Sequence, residues 1–388
     1  VKTARKTLAS ILIASFMLML LPLPARAEGA VCRIGADDFY TFQAALDALD
    51  AMGGGEATVT LLEDIEYSTT TSIAVTGKTV HFDLNGHKLG VTNREGHALT
   101  VGAGGVVDIT ADGDKGGTFS VASLYSFGWG VYAHDGGQAT VTNATSSGEN
   151  GAAAVADGGG SRVVVQNSAE GATGAYAFNF GVVNVNGNVT SSSVGARAEA
   201  GGAVTVYGNV SVDGAWATGV SAAGLGSQAE VKRDVTVGGS NTTGVSVREA
   251  GTATVRGNVT VTGLNATGVN AVNSNSTAYI GGVISVPEYA FYILLNSDAL
   301  NARDGVPDGS YLRYSDEVSS VFVTAPTGPL CEIGSTGYDT LAAALKVAVD
   351  DADDGAVTTI KLLRDADYDA CIQVSGKTVI FDLNGCSL

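Results

Sequence analysis

Residues 244–261 read Gly244-Val-Ser-Val-Arg-Glu-Ala-Gly-Thr-Ala-Thr-Val-Arg-Gly-Asn-Val-Thr-Val261. Three short segments in this stretch alternate apolar and polar residues: Val245 and Val247 around Ser246, Ala253 and Val255 around Thr254, Val259 and Val261 around Thr260. A period of two puts every second side chain on one face of a strand, whereas a helix would repeat every 3.6 residues. The segments are too short and too close together for connecting helices, so three strands must follow one another through tight glycine-containing turns.

The same pattern extends in both directions. Glycines at 130, 151, 174, 195, 219, 244 and 268 each open a strand whose first and third following residues are apolar, from Val131 and Ala133 to Val269 and Ala271. The spacings of 21 to 25 residues suit one rung of a solenoid. Gly187-Asn188, Gly208-Asn209 and Gly257-Asn258, with Arg233-Asp234 at the same place in another rung, separate the second and third strands. Gly and Asn adopt left-handed backbone angles most easily, so a tight left-handed bend is expected there. Three strands per rung, stacked about 4.8 Å apart, predict an all-β solenoid of the parallel β-helix type.

A longer repeat frames this region. Cys32-Arg-Ile-Gly35 returns as Cys331-Glu-Ile-Gly334, and Gly77-Lys-Thr-Val-His-Phe-Asp-Leu-Asn-Gly86 as Gly376-Lys-Thr-Val-Ile-Phe-Asp-Leu-Asn-Gly385, both offset by 299 residues. Each copy opens with an amphipathic helix behind a threonine N-cap, Thr41 or Thr340, with Phe42, Ala45, Leu46 and Leu49 or Leu341, Ala344, Leu345 and Ala348 on its apolar side. The predicted organisation is a signal peptide over 1–27, an α/β cap over 28–68, the β-helix over 69–328 and the start of a duplicated second module over 329–388. Pro326, Gly328 and Pro329 mark the linker, and Tyr311 to Val323 reads as a closing β segment.

The amino terminus runs from Lys2, Arg5 and Lys6 through an apolar stretch, Ile11 to Leu23, to Ala25-Arg-Ala27, the three-part pattern of an export signal. The stretch is shorter than the roughly 20 residues of a spanning helix, so no membrane insertion of the mature chain is expected. The chain carries 39 acids against 21 bases, a net charge of -18, and loss of the four bases within residues 1–27 makes the remainder more acidic still. Such a charge argues against nucleic acid or an anionic membrane surface as partner and for an extracellular location, secreted or at the cell surface. The four cysteines, 32, 331, 371 and 386, are too few and too uneven for a disulfide framework; Cys371 and Cys386 either pair or remain isolated small residues.

The rung pattern, with its Asn188, Asn209 and Asn258 column, resembles the right-handed parallel β-helix of pectate-lyase-like proteins, in which stacked Asn side chains form a ladder. The blocks KTVHFDLNGHKL and GHALTVGAGGVVDI are similar to repeat-rich secreted and surface proteins of gut-type bacteria. The resemblance implies a fold and leaves activity open, since many members of this fold have no known reaction.

Outward positions of the first strand form two columns. Alignment on the opening glycines gives Tyr132, Ala153, Tyr176, Arg197, Ser221, Ser246 and Asn270, and then His134, Val155, Phe178, Glu199, Ala223, Arg248 and Val272. Polyuronide-cleaving enzymes of the family place several carboxylates on such a face, and here only Glu199 is acidic. The candidate binding stripe is Tyr132, His134, Tyr176, Phe178, Arg197 and Glu199, whose rings suit stacking on sugars and whose charges suit hydroxyl groups. No catalytic residues and no metal ligands are assigned. Glu63, Asp64 and Glu66, and Asp350, Asp351, Asp353 and Asp354, offer a calcium alternative to solvated turns. The second-strand outward column, Thr140, Val164, Asn184, Thr205, Glu230, Thr254 and Tyr279, is too irregular for an ice-binding threonine array. The expected function is that of a non-enzymatic, adhesin-like or carbohydrate-binding surface protein. A polysaccharide lyase or hydrolase is the alternative, and a structural spacer a further one.

Overall fold

In the computed structural model, residues 29–110 and 116–324 are described, except 274, 309 and 317, together with 330–338, 341–350, 352–353, 355–363, 372–384 and 388. The predicted export signal, Thr340, the linker prolines, Asp351, Asp354, Cys371 and Cys386 lie outside the described residues. The chain folds as a β-solenoid of about 13 rungs in which stacked parallel strands form three faces. Successive strands of the first face include Trp129–His134, Ala152–Asp157, Thr218–Ala223, Thr243–Arg248 and Thr267–Val272. The second face includes Val182–Val185, Ala203–Val206, Gln228–Val231 and Thr252–Val255, and the third Val210–Asp213, Val235–Gly238 and Val259–Val261.

The alternation predicted from sequence is the alternation of burial. Val204, Val206, Val210, Val212, Val220 and Ala222 of one rung are all at most 1% exposed. Each buried valine contributes on the order of 1.5 kcal/mol of gross transfer free energy, so the core is sustained by many small increments. A lining of Val and Ala brings the faces close together, and this explains the opening glycines. A Cβ added at Gly174, Gly195, Gly219, Gly244 or Gly268 would stand 2.1 to 2.4 Å from a branched methyl of Val189, Val210, Val235, Val259 or Ile284 on the third face. Glycine defines the rung because nothing larger fits between the first and third faces.

At the bend between second and third strands the Asn ladder is present. Asn188 Oδ1 accepts from the Asn209 N–H at 2.9 Å, Asn209 Oδ1 from Asp234 N–H at 3.2 Å, Asp234 Oδ1 from Asn258 N–H at 2.7 Å and Asn258 Oδ1 from Val283 N–H at 2.9 Å. Asp234 fits the column because only its oxygen is used. The left-handed angles expected at these bends are not found: none of Gly187, Asn188, Gly208, Asn209, Gly257 and Asn258 has a positive φ. Glycine is needed there for close approach, since a Cβ on Gly208 would lie 2.4 Å from the Gly187 carbonyl oxygen of the preceding rung.

Both ends of the rod are closed. The helix Phe42–Ala51 is capped by Thr41 Oγ1, which accepts from the Ala44 N–H at 3.2 Å, and it buries Phe42, Ala45, Leu46 and Leu49 as its periodicity predicts. Lys78 of the repeated Lys-Thr-Val motif donates to the Leu49 carbonyl at 2.6 Å, satisfying the helix C-terminus, and Lys377 donates to the Val349 carbonyl in the second copy. Asn85 and Asn384 repeat one another likewise: their N–H groups donate to Asp83 and Asp382, their side-chain amides to the Leu61 and Leu362 carbonyls, at φ of 47° and 49°. At the far end Tyr311–Ser315 runs antiparallel to Ser320–Thr324 and buries Tyr314, covering strand edges that would otherwise be open to another chain. Cys32 and Cys331 are fully buried.

Candidate functional site

Register along the first face corrects one rung of the outward columns. Tyr132 pairs with Val155 and Val155 with Tyr176, while His134 pairs with Asp157 and Asp157 with Phe178. Alignment on Gly151 had placed Ala153 and Val155 at these positions. The run Ala152-Ala153-Ala154 fits two registers equally well by hydropathy, and the longer turn after Asp157 selects the other one. Glu199 is therefore not the only carboxylate of the stripe, since Asp157 stands two rungs before it. The second-face column, Thr140 through Tyr279, pairs as the sequence predicts.

All six candidate residues lie on this one face. Tyr132 and His134 stack at 4.8 Å between ring centroids, 23° from parallel, and Tyr176 and Phe178 stack with the same separation and angle two rungs further on. The small Val155 separates the pairs, which are thus about 10 Å apart along the rod. Tyr132 donates its hydroxyl proton to Asp157 at 3.3 Å and Tyr176 to Glu199 at 2.8 Å. Glu199 also accepts from Arg197 at 2.8 Å and from Arg248 at 3.4 Å, the latter reaching across the intervening Ala223. The Arg197 guanidinium lies over the Tyr176 ring, 4.8 Å from its centroid.

These contacts fix the charge states. Burial pushes the hydroxyls of Tyr132 and Tyr176 up to about 12, reinforced by the carboxylates they face. Burial works in the opposite sense to the partners of Glu199, raising its carboxyl. The hydrogen bonds from Arg197 and Tyr176 and the charges of Arg197 and Arg248 prevail, holding it below the ordinary carboxylate range. The stripe thus presents flat rings whose polar edges are locked to one another, and such side chains lose little conformational entropy when a ligand covers them.

Two further residues extend the stripe and were not found from sequence. His97 stacks on Trp129 at 4.5 Å and 14°, and Trp129 meets Tyr132 edge to face at 4.4 Å. His97 Nδ1 accepts the Trp129 backbone N–H at 3.0 Å, so the ring is neutral with its proton on Nε2. Burial, with the neighbouring His134 charge, lowers its pKa. Trp129 immediately precedes the glycine that set the register, and His97 belongs to the irregular rungs before Gly130. The only available signal was the aromatic residue itself.

Of the acidic runs, Asp64 accepts from the Lys88 N–H at 3.0 Å and from His87 at 3.3 Å, which makes it a turn-fixing group. Among the described residues no three His, Cys, Asp or Glu side chains gather as a metal site, and no helix is long and apolar enough to cross a membrane. Searched against family models, curated proteins and solved structures, the chain gives no match.

Proposed function

We propose that this protein is a secreted or surface-associated, non-enzymatic solenoid that binds a neutral polysaccharide along its first face. The observation that carries this reading is the pair of ring platforms, Tyr132 with His134 and Tyr176 with Phe178, about 10 Å apart on a rigid rod. That interval is close to two sugar residues of an extended chain. Arg197 and Arg248 both pair with Glu199, Asp157 adds a second carboxylate to the same face, and the chain as a whole is acidic, so an uncharged polymer avoids the repulsion that a polyuronate would meet. The three-faced rung and the Asn ladder also support placing the chain with pectate-lyase-like β-helices.

One observation favours a hydrolase as the second reading: Asp157 and Glu199 share a column two rungs apart, roughly the separation used by inverting glycosidases. A general acid needs a raised carboxyl pKa, and Glu199 has a lowered one, so binding is preferred. The test is electrophoresis of the chain in native gels cast with arabinoxylan, galactomannan, polygalacturonate or mucin. Retardation by a neutral polymer, abolished by Tyr176→Ala and Arg197→Ala, supports the reading. Unchanged retardation in both variants moves the site elsewhere, and release of reducing ends from the retained polymer would replace binding by hydrolysis.

A further inference from the structure

The turn that leaves the first face has the same short form in five rungs, and its penultimate residue always stands at positive φ: Gly104 at 65°, Gly136 at 82°, Phe180 at 69°, Gly201 at 81° and Ala250 at 64°. Three are glycine, which lacks the Cβ that this region disfavours, and one is the smallest residue that carries one, alanine. Phenylalanine is a bulky residue in a conformation that its Cβ disfavours, and such an outlier calls for a function that offsets the strain.

Core packing is not that function, because Phe180 is 69% exposed. Its ring lies across the next rung, where a Cβ on Gly201 would stand 2.5 Å from Phe180 Cε1. One side of the ring rests on glycine backbone while the side chain as a whole stays open to solvent. The turn is also tied to the site, since the Asn179 side-chain amide donates to Asp157 at 2.9 Å. Tyr176 and Phe178, the stacked pair of the same rung, lead directly into it.

We infer that Phe180 is a ligand-contacting residue, the third ring of a track formed with Tyr176 and Phe178 that carries a neutral polysaccharide from the first face around the turn. This rests on the glycan-binding reading. The turn Phe178-Asn-Phe-Gly181 contains no charge, so the sugar it takes is recognised by its C–H face and hydroxyl groups.

The decisive variant is Phe180→Gly, which restores the residue used at three of the other four turns. In the full chain it is expected to melt at or above the wild-type temperature while the concentration of arabinoxylan or galactomannan giving half-maximal gel retardation rises about tenfold or more; Phe180→Trp retains binding. A lower melting temperature for Phe180→Gly would make the ring a structural brace and overturn the inference. Unaltered retardation in Phe180→Gly, with loss in Tyr176→Ala, would overturn it while leaving the glycan reading intact. Absence of wild-type retardation by either neutral polymer would remove both.

Discussion

A methyl group added at Gly219 would stand 2.4 Å from Cγ1 of Val235, which faces it across the core, and 2.5 Å from the carbonyl oxygen of Gly244 in the next rung. Neither neighbour is a flexible side-chain end. Gly219→Ala is therefore expected to destabilise the solenoid by about 2–3 kcal/mol through overpacking, measured by urea unfolding. A loss under about 0.5 kcal/mol would mean that the faces can separate, and that valine packing does not set the rung's cross-section.

Ser191 gives the opposite opportunity. Its hydroxyl is buried and has no hydrogen-bond partner, and the residues stacked on it in the following rungs are Val212, Val237 and Val261. Ser191→Val removes an unsatisfied polar atom and continues the valine column, with an expected gain of about 1–2 kcal/mol. A lower unfolding midpoint in the variant would show that the hydroxyl is satisfied in solution.

The ladder at the bend uses only side-chain oxygen, as Asp234 demonstrates. Asn188→Asp, two rungs from Asp234, should then lie within about 0.5 kcal/mol of wild type, whereas Asn188→Ala should cost about 1 kcal/mol by orphaning the Asn209 N–H. Equal losses in the two variants would assign the stabilisation to the amide nitrogen.

His81 lies between two carboxylates, with Nε2 3.1 Å from Glu56 and Nδ1 hydrogen-bonded to Asp108. The Asp108 hydrogen bond raises its pKa; burial opposes this, and the charges of both acids add to the rise. A raised folded-state value means that the stabilisation is fully present below about pH 6.5 and is lost as pH rises through the folded-state pKa. The stability difference between wild type and His81→Gln should shrink steadily from pH 5.5 to 8.5 in urea titrations. A difference that grows with pH would reverse the assignment of charge.

Much of this architecture is legible in the chain because burial with a period of two leaves a direct trace in hydropathy. The inward valines, the helix face from Phe42 to Leu49, the second-face column and the Asn ladder all follow from side-chain type. What hydropathy does not encode is a shift of register among residues of one kind, and that is how Asp157 was lost behind Ala152, Ala153 and Ala154. Nor does it distinguish the two uses of glycine. At Gly208 the residue permits contact between backbones, while at Gly136 it permits a left-handed turn. The candidate stripe is partly visible as tyrosines and charges at fixed offsets, but the rings of His97 and Trp129 precede the first repeat glycine and have no frame to be read in.

The ladder and the parallel pairing join each residue to partners one rung away, so information about position travels along the rod only from neighbour to neighbour. A whole rung can then be inserted or deleted as a unit, for instance residues 219–243, with the flanking rungs meeting in register and the rod changing by about 4.8 Å. Loss of a single residue within a strand would instead turn an inward valine column to the solvent. The molecule is in this sense graduated: its length is adjustable in fixed steps by recombination among its own repeats, while the spacing of the rings on its first face stays constant.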